Sequence, residues 1–305
     1  MEITASMVKE LRESTGAGMM DCKKALVEAG GDVAAAIDIL RTKGLADLAK
    51  KAGRATHEGI LAAAVSADST AGALVEVNCE TDFVARNGDF KAFVGEIAGQ
   101  VLDSGPADVA SLLALHYLAR PEITVEQRVG EAVSKFGENM GVARFERFSL
   151  STDNGVIAVY IHGVGNIGVM VEVSTGSAAA AASPAALGFA KDVAMQIAAA
   201  APISVRREDV AQSVIEHEMS IYKAQAAETG KPEPIQQKIA EGRLDKFFKE
   251  FTLLEQQFVK NPDVTVKQQA EAASAQAGAT LDVVRFTRMV LGETNPETKP
   301  APACS

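Results

Sequence analysis

Through the first fifty residues apolar side chains recur three and four positions apart, a period that predicts helices. Met7, Val8 and Leu11 follow Thr4, which can cap a helix start, with Ile3 and Val8 placed around it as a hydrophobic staple. Gly16-Ala17-Gly18 stops that helix, and a second spans Met19 to Ala29 before Gly30-Gly31. Asp32 caps a third, with Val33, Ala36, Ile37 and Leu40 on one face and Gly44 just past its end. Three such helices close a small bundle over residues 1–52. A basic link, Lys50-Lys51-Ala52-Gly53-Arg54, leads out of it.

The period then falls to two, the signature of strands, and the pattern occurs twice. Gly59–Val101 lies over Gly155–Ile197 without gaps at an offset of 96, with ten of 43 positions identical. Gly59-Ile60-Leu61-Ala62 meets Gly155-Val156-Ile157-Ala158, and Val75-Glu76-Val77 meets Val171-Glu172-Val173. Phe93, Ala98 and Gln100 meet Phe189, Ala194 and Gln196. Each copy reads strand, turn, strand, loop, helix, which predicts two related α+β halves. The copies part at one loop. Cys79-Glu80-Thr81-Asp82-Phe83-Val84 faces Thr175-Gly176-Ser177-Ala178-Ala179-Ala180, so the architecture does not require an acid and an aromatic there. Asp82 and Phe83 are therefore candidates for function; the alternative is that Phe83 packs into its own core and Asp82 caps a helix.

Residues 204–258 are rich in charge and helix formers. Val210, Val214, His217 and Ile221 form one helical stripe, and Ile235, Ile239, Leu244, Phe247 and Phe251 another. Gly230-Lys231-Pro232-Glu233-Pro234 breaks the chain between them, predicting an antiparallel helical hairpin. It either pairs with another chain, a homodimer included, or is a plain packed pair. A helix over Val266–Ala277, a strand over Val283–Phe286 and a disordered tail over 293–305 complete the pattern. The expected units are thus the bundle 1–52, a first core half 53–140, the first part of a second half 141–203, the hairpin and return to the core 204–258, a C-terminal module with the final core strand 259–292, and the tail. The fold class is α+β.

Composition narrows the function. Net charge is −10, which opposes direct gripping of nucleic-acid phosphates or docking on anionic membrane. Aromatics make up 5% of the chain and Trp is absent, so the cores must be aliphatic. Cys22, Cys79 and Cys304 are far apart and form no C-x-x-C, which fits a reducing cytoplasm. The opening residues carry no apolar signal core.

Gly163-Val164-Gly165-Asn166-Ile167-Gly168 is a literal dinucleotide fingerprint. The fingerprint needs a helix next, to aim its N-terminus at pyrophosphate, and here Val169-Met170-Val171-Glu172-Val173 alternates as a strand. It reads as a hairpin turn. His57, His116, His162 and His217 have no ligand partner at metal spacing, and no catalytic constellation or cofactor site is legible. His217 reads as packed on the hairpin stripe. Met19 and Met20 stand at a helix start, where soft side chains suit a partner or fill the bundle core.

Several stretches resemble the elongation factor Ts family. The strongest are Thr15-Gly16-Ala17-Gly18-Met19-Met20-Asp21-Cys22-Lys23-Lys24-Ala25-Leu26 and Val75-Glu76-Val77-Asn78-Cys79-Glu80-Thr81-Asp82-Phe83-Val84-Ala85. Gly137-Glu138-Asn139, His162-Gly163, Gly230-Lys231-Pro232 and Glu241-Gly242-Arg243 follow in family order. The family's usual Gln in the loop is Glu80 here. The resemblance implies a module like a ubiquitin-associated domain, two related subdomains, a projecting hairpin and a C-terminal helical module. It further implies guanine-nucleotide exchange on elongation factor Tu, in its GDP-bound and nucleotide-free states, without catalysis by this chain. Thr81, Asp82, Phe83 and Val84 would enter near the partner's Mg²⁺ site. Arg12, Met19, Met20 and Lys23 would touch its nucleotide-binding domain, and Phe136, Gly137 and His162 match further contacts. Two other readings remain open on the residues: an adaptor for ubiquitin-like or chaperone partners acting through residues 1–52, and a nucleotide-dependent enzyme using the glycine run.

Overall fold

Thr4 caps the first helix, its hydroxyl accepting from the Met7 amide, and Ile3 and Val8 pack in the same small core. The computed structural model describes residues 3–293, so the predicted tail lies, from 294 on, outside the described residues. Helices α1 (Ala5–Thr15), α2 (Met19–Glu28) and α3 (Val33–Lys51) bury Val8, Leu11, Cys22, Ala25, Leu26 and Ala36 between them.

The first half runs β1 (Glu58–Val65), β2 (Ala71–Cys79), α4 (Asp82–Arg86), α5 (Gly88–Ser104), α6 (Val109–Ala114), β3 (His116–Tyr117), β4 (Arg120–Thr124), α7 (Val125–Phe136) and β5 (Met140–Ser149). The second half runs β6 (Gly155–His162), β7 (Ile167–Thr175), α8 (Ala178–Ala181) and α9 (Pro184–Ala200), then the hairpin α10 (Gln212–Ala227) and α11 (Glu233–Phe251). It resumes with β8 (Gln257–Phe258), β9 (Asn261–Thr265), α12 (Val266–Ala277) and β10 (Leu281–Val290). Each half is a three-stranded antiparallel sheet, β1-β2-β5 or β6-β7-β10, covered on one face by helices. The α+β class read from the pattern is the observed one.

The repeat extends further than the sequence pattern revealed. Through α5 and α9 the offset is 96; from β3–β5 to β8–β10 it is 141, because 56 residues separate α9 from β8 where 11 separate α5 from β3. The hairpin is the insertion. Matching side chains do matching work on both sides of it. Buried Gln100 accepts from the Leu118 amide and donates to the His116 carbonyl; Gln196 does the same with Val259 and Gln257. Thr124 with Gln127, and Thr265 with Gln268, form equivalent capping boxes.

Three boundaries shift accordingly. β5 pairs with β2 along its whole length, Ala71 opposite Ser149 and Cys79 opposite Met140, so the first half continues to 149 rather than ending at 140. Residues 259–290 supply the expected final core strand, and the rest of them joins the second half instead of forming a module apart. They give the second half its third strand, paired along Leu281–Val290 rather than only 283–286, and a helix packed in the same core as α9. The third bundle helix does not stop at Gly44. It runs on because Gly44 faces Gly130 of α7, where a β-carbon would stand 3.1 Å from backbone. That close crossing seats the bundle on the first half, with Leu48 entering its core and Ser134 donating to Asp47.

The sheets pack face to face through Leu61, Leu74 and Met289 and through Phe148, Ile157 and Met170. Small residues permit this. A β-carbon on Gly72 would meet Ile157 at 2.8 Å, and one on its repeat counterpart Gly168 would meet Leu74 at 2.5 Å. The hairpin turns clasp reciprocally: Ile157 donates to the Ser69 carbonyl, and Leu61 donates to the Gly165 carbonyl. Gly165 sits at φ +106°, and a β-carbon there would stand 3.0 Å from Ile60, so both conformation and space favour glycine. The glycine run is thus a turn between β6 and β7.

In the hairpin the buried stripe is displaced by one residue from the predicted one. Ile215, Tyr222 and Ala226 of α10 face inward, while Val214 and His217 are exposed. The cause lies at its base, where Val210 precedes the helix and packs with Phe247 and Phe248, setting the rotation of α10.

Candidate functional site

The loop that distinguishes the two copies leaves the end of β2 and turns at once into α4. Thr81 caps this single turn by accepting from the Val84 amide. Ala85 and Val84 face the core, which leaves Phe83 standing out at 84% exposure. Phe83 therefore does not pack into its own core, and Asp82 is not the cap. Asp82 sits in the first turn, 3.1 Å from Arg86. Val84, grouped with these residues in the sequence reading, points inward instead.

Behind the loop lies Gly137-Glu138-Asn139, between α7 and β5. Glu138 Oε2 accepts from the amides of Glu80 (3.2 Å) and Thr81 (3.1 Å), and Oε1 accepts from the Thr81 hydroxyl (2.6 Å). Glu80 reciprocates, accepting from the Asn139 amide and from Arg54, whose carbonyl accepts from the Asn139 side chain. The Asn139 amide foremost, then Arg54, holds the Glu80 carboxyl below its ordinary range. Cys79 is buried underneath, and burial, aided by the Glu138 charge, pushes its thiol up to about 12. Phe136 meets Phe90 edge-on at 5.9 Å and is half-buried, while Gly137 ends α7 in a left-handed turn.

Arg12, Met19, Met20 and Lys23 line one groove with Ile3 and Val8. Met19 and Met20 are 57% and 62% exposed, so neither fills the bundle core. Asp89 and Lys135 border the same groove and pair at 2.9 Å. Asp89 lies in the first turn of α5, three residues after α4 ends. His162 closes β6, exposed, with Nδ1 3.1 Å from the Tyr160 hydroxyl, beside exposed Val164. Its turn is bound to β1 through Leu61, near the end where Glu58 pairs with Cys79. In the other copy, turn 67–70 and α8 border one groove.

The structure brings Thr81, Asp82, Phe83 and Gly137 together around Glu138, and Arg12, Met19, Met20 and Lys23 into one groove, while Val84 is turned inward and Phe136 is shared with the core. Sequence reasoning named Glu138 only within a motif and gave it no role. The signal was available: at an offset of 141 its counterpart is Ala279, in the copy that lacks the aromatic. Among the described residues no group of three or more His, Cys, Asp or Glu could hold a metal ion. No described helix is long and apolar enough to cross a membrane.

Exposed side chains on a well-packed frame define a surface for contact. Comparison with known proteins identifies the frame. The family description "Elongation factor TS" matches residues 80–293. Elongation factor Ts of Trichlorobacter lovleyi is 48% identical over 293 residues, 96% of this chain and 94% of that protein. That of Clostridium novyi is 46% identical over 291 residues, and that of Clostridioides difficile 48%, each covering 95% of this chain and 93% of the relative. The chain belongs to the elongation factor Ts family, proteins of translation elongation.

Proposed function

We propose that this chain is a guanine-nucleotide exchange factor for elongation factor Tu, acting in the cytoplasm through a protein interface and making or breaking no bond itself. The observation that carries the reading is Phe83, an aromatic held 84% exposed at a position where the second copy has Ala179. A solvated ring gains nothing for the fold, whereas an aromatic anchor seated in a partner's pocket is a common source of binding energy.

In this reading Phe83 wedges an apolar pocket near the GTPase's Mg²⁺, while Asp82 perturbs the polar groups around the metal. Mg²⁺ compensates the diphosphate charge, so disturbing its site weakens GDP. Arg12, Met19, Met20 and Lys23 grip the nucleotide-binding domain from their groove, and Gly137 and His162 add contacts from the frame. Linkage makes the effect reciprocal: the factor weakens GDP as much as GDP weakens the factor. Both the GDP-bound and the nucleotide-free GTPase are therefore partners. The exposed hairpin is a surface on which two copies can pair.

The test is release of fluorescent GDP from elongation factor Tu, with and without this protein. Acceleration by catalytic amounts supports the reading; an unchanged rate refutes it.

A further inference from the structure

We propose that Glu138 is the positioning residue of the exposed wedge: its carboxylate fixes the loop entering α4 so that Phe83 stands outward before any partner arrives. This rests on the exchange-factor reading and deepens it. One carboxylate takes three donors, the amides of Glu80 and Thr81 and the Thr81 hydroxyl, all from the two residues that precede α4. Because the acceptor is charged, each bond is stronger than a neutral one. The Thr81 hydroxyl, donating to Glu138, has its remaining lone pairs for the Val84 amide, so cap and clasp are one chain of bonds. Glu80 closes the clasp from the other side by holding Asn139 and Arg54.

The second copy is a control within the same chain. There Ser177 caps α8 through the Ala180 amide, as Thr81 caps α4. Where the first copy has Glu80 and Glu138, the second has Gly176 and Ala279, close enough that a β-carbon on Gly176 would stand 3.4 Å from that of Ala279. The short helix forms without any carboxylate. The fold therefore does not need Glu138; the clasp is present in the copy that carries Phe83 and missing from the copy that carries Ala179. A free single-turn helix could tilt and lay its aromatic on the apolar surface beside it. The clasp removes that freedom in advance, which spares the complex the ordering loss on binding.

The experiment compares GDP release from elongation factor Tu driven by the full-length wild type, Glu138→Ala, Thr81→Val, Phe83→Ala and the double variant Glu138→Ala/Phe83→Ala. Glu138→Ala is expected to slow release about tenfold with its melt preserved. In the Phe83→Ala background it should add less than about twofold, because a residue acting through Phe83 has nothing left to position. Thr81→Val, which removes one donor and keeps the carboxylate, should slow release in the same direction. Amide hydrogen exchange should show residues 80 and 81 protected in the wild type and opened in Glu138→Ala, with strands β1 and β2 unchanged. Wild-type release by Glu138→Ala, a full additive loss in the double variant, or early melting of both Glu138→Ala and Thr81→Val overturns the proposal. Unprotected amides at 80 and 81 in the wild type overturn the clasp without involving any GTPase. A wild type that releases no GDP overturns instead the exchange reading on which the proposal rests.

Discussion

Glu76 and Arg144 form an ion pair across β2 and β5, Oε2 to Nε 2.8 Å, with the Glu76 side chain fully buried. The second half repeats it with Glu172 and Arg285 at 2.7 Å. The copies differ in what else they hold. Glu76 also accepts from the Gly292 amide, and Arg144 donates to the Val290 carbonyl, so the first pair ties down the end of β10. Glu172 instead accepts from the Ser151 amide and hydroxyl. Arg144→Met strands a buried carboxylate and should remove about 3 kcal/mol, lowering the melting temperature by roughly 6–12 °C. Arg285→Met should lose clearly less, since Arg285 is the more exposed and Glu172 keeps both serine donors. Scanning calorimetry of the two variants decides; equal losses would contradict the asymmetry.

Phe83→Ala separates fold from function. A buried aromatic truncated to alanine costs about 3–5 kcal/mol, whereas an exposed one is usually within about 0.5 kcal/mol of neutral. With the ring 84% exposed, the melt should be unchanged. As an interface anchor the same ring is worth roughly 2 kcal/mol, so affinity for the GTPase should fall about thirtyfold and GDP release should slow. Early melting would return Phe83 to the core, and normal exchange would remove it from the interface.

Much of this was legible because the chain contains its own comparison. The match of residues 59–101 with 155–197 exposed the strand–strand–helix unit and singled out Asp82 and Phe83 by what Ala178 and Ala179 lack. What was hidden has physical causes. The hairpin between α9 and β8 changes the offset, so an ungapped match cannot reach Arg144 and Arg285 or Glu138 and Ala279. Gly44 reads as a helix stop when only its own strand of sequence is considered; its reason is Gly130, 86 residues away and visible only in three dimensions. The hairpin stripe slipped by one residue because Val210 is apolar but lies outside the helix, packed at its base.

Gly44→Leu should undock the bundle. Alanine at this position gains about 1 kcal/mol of helix propensity against its crowding, so a larger side chain is the clearer probe. The leucine β-carbon meets Gly130 backbone, which cannot yield as a side chain would. The expected result is faster proteolysis at the link 50–54, with the melt of the two sheets retained. Unchanged protection of that link would show that the crossing has slack.

Acid should loosen the clasp around Glu80. The Asn139 amide and then Arg54 hold this carboxyl below its ordinary value of 4.5. A depressed carboxyl stabilises the folded state above its unfolded value, and that contribution disappears as pH falls through the folded value. The Asn139 amide should therefore gain hydrogen-exchange rate only below about pH 4.5, beyond the intrinsic trend of the chemistry. Glu80→Gln keeps an oxygen acceptor without a titrating proton and should flatten that dependence. A variant with the same acid response as the wild type would assign the response to another group.

The hairpin offers a test of modularity, with a limit set by its base. Val205, Leu253 and Phe258 belong to the core of the second half, and Ile203 donates to the Phe251 carbonyl, so excision of all of 204–258 would open that core. Beyond the base the two helices touch chiefly each other; Gln225 and Arg243 face across the pair. Replacing 223–242 with a short turn should therefore leave one cooperative melt, lowered by no more than a few degrees, because the Phe247–Phe248 cluster and the insertion point are untouched. The first half closes the equivalent gap with only 11 residues, which shows that the sheet-and-helix unit does not need a long insertion. Loss of the cooperative melt on trimming would mean that the distal hairpin holds the halves together. A preserved melt with a changed sedimentation coefficient would instead place self-association on that distal segment.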